Sequence, residues 1–201
     1  MKHLFKKGER ENPTLLLLHG TGGNEHDLLP LADYIDPKAN VLSVRGNVLE
    51  NGMPRFFKRL AEGVFDEDDL VFRTKELHEF LDQAAIAYRF QREHVIAIGY
   101  SNGANILASL LFHYENALKA AILHHPMVPR RGIDLPPLTN TAVFIAAGKN
   151  DPICSPQESK ELARLLENAG ANVTLHWEEG GHALSMREVE AAKAWYDDVI
   201  D

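Results

Sequence analysis

The sequence holds one cysteine, Cys154, which excludes an intrachain disulfide. It has no apolar run of membrane-spanning length, and its first ten residues contain no apolar signal core. Both absences lead us to expect a cytoplasmic protein with no membrane partner. Basic residues are also in deficit: 21 Lys and Arg stand against 29 Asp and Glu, a formal charge of -8. That balance argues against a nucleic-acid or anionic-membrane surface. Internal repeats and low-complexity segments are missing too. What remains is 201 residues with 45% hydrophobic and 25% charged side chains, enough for one domain with a substantial core, spanning 1–201.

One stretch organises the chain. Val95 to Ile98 reads as a buried strand, Gly99-Tyr100-Ser101-Asn102-Gly103 follows at once, and apolar residues from Ala104 to Tyr114 then recur at helical spacing. Strand, tight turn with serine at its apex, and helix form the context of a nucleophile elbow. The pentapeptide alone is common by chance, and a serine that merely caps the helix is the duller reading. The flanking strand and helix favour the elbow, and with it an Asn102 amide exposed at a helix start.

Other apolar runs alternate with amphipathic stretches. His3 to Lys7 is a candidate edge strand, and Leu15–Leu18, Val41–Val44, Ala120–Leu123, Ala142–Ala147 and Val173–Trp177 read as strands. Helices are expected after Asn24 as a cap, over Leu70–Tyr88, from the elbow to near Lys119, after Ser155, and after Ser185. Ser155 with Glu158 and Ser185 with Glu188 look like capping boxes. The alternation calls for an α/β fold, a mostly parallel sheet with helices on both faces. Ligands on such sheets bind beyond the carboxyl ends of the strands.

His19, Ser101, Asp151 and His182 all fall just after predicted strands. A serine hydroxyl needs a base within hydrogen-bond reach, and the base needs an orienting partner. We therefore assign Ser101 as nucleophile, His182 as general base and then acid, and Asp151 as the group that fixes the imidazole. Asp151 before Pro152 as a bare turn residue, and His182 as a loop residue beside its glycines, are the competing readings; joint order and placement outweigh them. The loop His19-Gly20-Thr21-Gly22-Gly23 is either a tight turn or the second half of an oxyanion hole, with the Thr21 amide as donor beside that of Asn102.

An excursion over 45–69 is expected to wall the site. His19, Arg45, Met53, Phe56 and Phe57 are the pocket candidates, although the aromatics there, Phe65 included, serve at least as well as anchors to the core; Arg45 and Arg55 are either attractors of an anionic substrate or solvated surface arginines, and His19 reads as a loop brace rather than a base. The pair His124-His125 lacks a third ligand at useful spacing, so no metal is expected. Cys154 reads as a small packed side chain.

With Leu18-His19-Gly20-Thr21-Gly22-Gly23, Gly99 to Asn105, Gly148-Lys149-Asn150-Asp151-Pro152 and Gly181-His182 in hand, the chain resembles the phospholipase/carboxylesterase family of α/β-hydrolases. Arg45-Gly46-Asn47 and Asn51 to Phe57 make it similar to a bacterial subgroup linked to hydroquinone or catechol stress. The resemblance implies that fold, the Ser-His-Asp triad, paired amide donors, and hydrolysis of short-chain or aryl carboxylic esters without a cofactor. Related thioesterases carry Gln after the serine where this chain has Asn102, so their lysophospholipid or protein-thioester specificity is not carried over. The alternatives are a thioesterase, lysophospholipase or C–C bond hydrolase using the same three residues, and a non-catalytic binding protein on a hydrolase fold. The expected partner is a small ester, and a homodimer stays open.

Overall fold

The structure, a computed structural model, describes residues 1–9 and 13–200; Arg10 of the amino-terminal stretch and Asp201 lie outside the described residues. Strands β1 (His3–Lys6), β2 (Thr14–Leu18), β3 (Asn40–Val44), β8 (Val95–Tyr100), β9 (Ala120–His124), β10 (Ala142–Gly148) and β11 (Asn172–Glu178) form one sheet in the order β1-β3-β2-β8-β9-β10-β11. Only β1 runs antiparallel, against β3; the other pairings are parallel.

The continuous apolar runs have a simple cause. Successive residues of a strand face opposite sides, and both sides are covered. Leu16 and Leu18 pack with α2 (Glu67–Tyr88), α3 (Asn102–His113) and α4 (Pro156–Asn168), whereas Leu15 and Leu17 pack with α1 (Leu29–Ile35) and α5 (Met186–Ile200). Helix α3 is buried from Asn102 to Phe112, so it is apolar nearly all round. The chain leaves β2 towards β3 on one side and returns with β8 on the other. The crevice beyond β2 and β8 is therefore the switch point of the sheet, and the loops after both strands open onto it.

Several local expectations need correcting. Asn24 does not cap α1: its Oδ1 accepts from the His26 N–H at 2.9 Å, and the helix starts after Leu28 with Pro30 in its first turn. Helix α2 begins earlier, capped by Asp66, whose Oδ1 accepts from the Asp69 N–H. Helix α3 stops at His113, and Asn116 then turns the chain at φ 54°. The 45–69 excursion is two hairpins rather than open loop. β4 (Val48–Glu50) pairs with β5 (Met53–Arg55) across Asn51-Gly52, both at positive φ, and β6 (Arg59–Ala61) pairs with β7 (Val64–Phe65) around Gly63. Asn-Gly is the residue pair that a two-residue hairpin turn prefers.

Candidate active site

The turn after β8 shows why its residues are glycines. A Cβ on Gly103 would lie 2.0 Å from the Leu18 carbonyl oxygen, and one on Gly99 would lie 2.7 Å from the backbone of Gly103 and Ala104. Only bare backbone lets α3 cross β2 and β8 this closely. Ser101 sits between them at φ 52° and ψ -112°, a conformation costing about 1–3 kcal/mol for a residue with a Cβ. The surroundings hold it there. Its N–H donates to the His124 carbonyl at 2.9 Å and its carbonyl accepts from the Asn105 N–H at 2.9 Å.

Three side chains meet at this turn. The Ser101 Oγ lies 2.8 Å from His182 Nε2, and His182 Nδ1 lies 2.8 Å from Asp151 Oδ2. The carboxylate can only accept, so Nδ1 carries the hydrogen and Nε2 is free to accept from the serine hydroxyl. Asp151 stands just after β10, where its Oδ1 accepts from the N–H groups of Ile153 and Cys154 at 2.8 and 2.9 Å. Burial would raise its pKa, but the Cys154 N–H, the His182 contact and the Ile153 N–H outweigh that and hold the carboxyl below its usual range. The loop bearing His182 is itself tied down, since the Tyr100 hydroxyl donates to the His182 carbonyl at 2.8 Å.

A second buried row stands behind Asp151. His125, at φ 54°, keeps its N–H on the Ala146 carbonyl and places Nδ1 2.9 Å from Asp151 Oδ2 and Nε2 3.1 Å from Glu188 Oε2. Glu188 Oε1 accepts from His124 Nδ1 at 3.0 Å. The ligating atoms of His125, Asp151 and His182 lie within 4.8 Å of one another, but each contact is already a nitrogen–carboxylate hydrogen bond, which reads as proton sharing. The capping-box reading of Glu188 is half right. Its N–H donates to Ser185 Oγ at 3.2 Å, yet its carboxylate turns inward to the histidines instead of back to the cap. Glu158 behaves alike: its N–H reaches Ser155 Oγ while its carboxylate takes the Val128 N–H and Arg131.

A cavity of about 230 Å³ opens at Ser101. Thr21, Ser101, Asn102 and His182 reach it, and so do Arg55, Arg59, Glu62 and Phe65 from the two hairpins, with Tyr100, Asn105, Met127 and Ile153. Arg55 is 4% exposed; its Nη1 donates to Thr21 Oγ1 at 2.9 Å and approaches Glu50 at 3.5 Å. Glu50 is mainly engaged by Arg59, at 3.0 Å.

The five pocket candidates go elsewhere. Phe56 and Phe57 are fully buried: the cost of leaving two phenyl rings in water drives them into the core, where Phe57 meets Phe65 edge-to-face at 5.0 Å. The His19 Nδ1 lies 2.6 Å from the Gly20 carbonyl and its Nε2 accepts from the Gly46 N–H at 3.1 Å, so the ring braces two loops; burial holds its pKa down. Arg45 pairs with Glu25, and Met53 packs over Gly22. Of the residues that line the cavity beside the serine, Arg55 and Phe65 belong to the excursion expected to wall the site, and Arg55 is one of the two arginines the sequence offered for an anionic substrate; Asn105 was hidden one turn into a buried helix.

Among the described residues no helix is long and apolar enough to cross a membrane. The dienelactone hydrolase family matches residues 61–199. The chain is 62% identical over 200 residues to MhqD of Bacillus subtilis, covering 100% of each chain. A carboxylesterase of Bacillus cereus superposes with a TM-score of 0.98 at 72% identity, over 99% of this chain and 94% of that one. YahD, solved with malic acid, superposes with a TM-score of 0.94 at 32% identity, over 98% of each.

Proposed function

The chain belongs to the dienelactone hydrolase family, as a single-domain α/β-hydrolase, and on that premise we propose that it is a serine carboxylesterase working through an acyl-enzyme on Ser101. The observation that carries this reading is the hydrogen-bonded line Ser101–His182–Asp151 at the mouth of a cavity. His182 takes the hydroxyl proton as Oγ attacks the ester carbonyl. The same imidazole returns that proton to the departing alkoxide, and then activates water against the acyl-enzyme. Asp151 holds the ring and stabilises the imidazolium. The developing oxyanion is met by the amides of Thr21 and Asn102. The second opens α3, where N–H groups are unpaired and the helix dipole favours negative charge. One such donor is worth about 10²–10³ in rate.

The cavity supports the proposed substrate class. A volume near 230 Å³ suits a short acyl or aryl ester, since drug-sized ligands occupy about 300–1,000 Å³. The buried Arg55 guanidinium on one wall adds a preference for esters that carry an anionic group, in keeping with the dicarboxylic acid seen with YahD. No helix of the described residues is long and apolar enough to cross a membrane.

Ser101→Ala tests the reading. We expect turnover of p-nitrophenyl acetate to fall by about 10⁴-fold or more, with thermal unfolding little changed, since alanine keeps the Cβ and with it the same backbone conformation. Equal turnover in both proteins would remove Ser101 from the reaction.

A further inference from the structure

Asp151 Oδ2 accepts from two imidazoles at once, His182 on the cavity side and His125 on the core side, at 2.8 and 2.9 Å. The two differ in setting. The His182 side chain is 16% exposed, whereas those of His125 and Glu188 are 1% and 0% exposed. His125 is thus sealed between two carboxylates, Asp151 on Nδ1 and Glu188 on Nε2. An ionised carboxylate offers only lone pairs, so a ring held between two of them donates from both nitrogens and is a cation. Putting the proton on Asp151 instead is disfavoured, because three donors other than His125 already point at its oxygens, the Ile153 and Cys154 N–H groups at Oδ1 and His182 Nδ1 at Oδ2. Between Glu188 and His125 the imidazole is the stronger base by about two pH units.

We propose that His125 is a permanent imidazolium that positions Asp151, with buried Glu188 as its counter-ion, so that the Ser101 site is a line of five groups rather than three. This rests on the esterase reading for its kinetic consequence, though not for the charge state itself. His125 thereby fixes the rotation of the Asp151 carboxylate on the face away from His182, with the two ring centres 5.2 Å apart.

The remaining groups around His125 are accounted for. Tyr100 meets the ring edge-on at 6.1 Å and the Cys154 thiol donates to the His125 carbonyl; burial pushes both acids up, so they stay neutral. His124 gives Nδ1–H to Glu188, while its Nε2 is buried without a hydrogen-bond partner. Burial alone would lower the His125 pKa, but Glu188 and Asp151 outweigh it and raise it. Burial would raise that of Glu188, but His124 and His125 hold it at about 2.

The test is nitrogen–proton NMR of the imidazoles in the full chain between pH 5.5 and 9, with His125→Asn supplying the assignment. We expect both His125 nitrogens to stay protonated throughout. In Glu188→Gln, which keeps a side-chain amide where the carboxylate was, His125 should titrate within that range. The kcat–pH profile for p-nitrophenyl acetate should then gain an inflection at the pH where His125 titrates, with KM little changed. A neutral His125 in the wild type overturns the proposal, as does a Glu188→Gln protein whose imidazole signals and pH profile match the wild type. If Glu188→Gln fails to fold, the wild-type titration still decides. If the protein proves inactive on esters, the esterase reading falls while the NMR result still judges His125.

Discussion

The floor and the rim of the Ser101 cavity are built in opposite ways. The floor consists of parallel strand ends crowded against α3, with two non-glycine residues, Ser101 and His125, held at positive φ and buried charges interlocked behind them. The rim consists of two short antiparallel hairpins that leave Leu49 and Leu60 71% and 73% exposed. In the floor, each strained residue is held by a carbonyl from the neighbouring strand, so nothing can move alone. Between the hairpins Phe56 and Phe57 anchor in the core, and the rim reaches the floor through Phe56 N–H on Asn102 Oδ1 at 2.7 Å, Arg55 on Thr21, and Gly22 N–H on the Pro54 carbonyl at 2.9 Å. The contrast teaches that proton chemistry needs a fixed geometry, which a packed sheet supplies, while the choice of substrate sits on parts that tolerate change.

Substitutions can break this contrast, and the floor should break hardest. Gly103→Ala places a Cβ 2.0 Å from the Leu18 carbonyl, where only backbone can give way. We expect a loss of about 3 kcal/mol or more in urea unfolding, together with loss of soluble yield. A stable, active variant would show that the crossing of α3 over β2 is looser than described. Arg55 links rim to floor, and its change should be intermediate. Arg55→Met is expected to raise KM for a dicarboxylic half-ester about tenfold, leaving KM for the matching neutral ester within about twofold. Equal effects on both would mean that the guanidinium only braces Thr21. At the tip of the rim, Leu60→Ser should change stability by less than about 0.5 kcal/mol and alter only the ranking of acyl chains. A large fall in stability there would erase the distinction between the two regions.

The same contrast marks what could be read from the sequence. Strands buried on both faces must be apolar at every position, so Leu15–Leu18 and Val95–Ile98 announce themselves, and the parallel sheet and its ligand-bearing edge follow. Ser101 and Asp151 were legible as candidates because each follows such a strand, and His182 because it follows the alternating edge strand β11. The rim was not, since three-residue strands carry too little periodicity; only Asn51-Gly52 marked a hairpin, and the excursion was read past it. Phe56 and Phe57 could be read either as pocket wall or as core anchor, because an aromatic in a loop has no periodicity to show which way it faces; here both turn into the core. Glu188 was hidden by a local pattern. Three residues after Ser185 it satisfies the capping-box spacing, and nothing local reveals that its carboxylate serves histidines 63 and 64 positions away.

The account turns on Ser101 being an activated nucleophile, and labelling with a fluorophosphonate probe measures that directly. The prediction is a single adduct on the peptide carrying Ser101, absent in Ser101→Ala and slowed at least about 10³-fold in His182→Ala. An adduct on another residue, or undiminished ester turnover after the probe has been consumed without labelling Ser101, would contradict it.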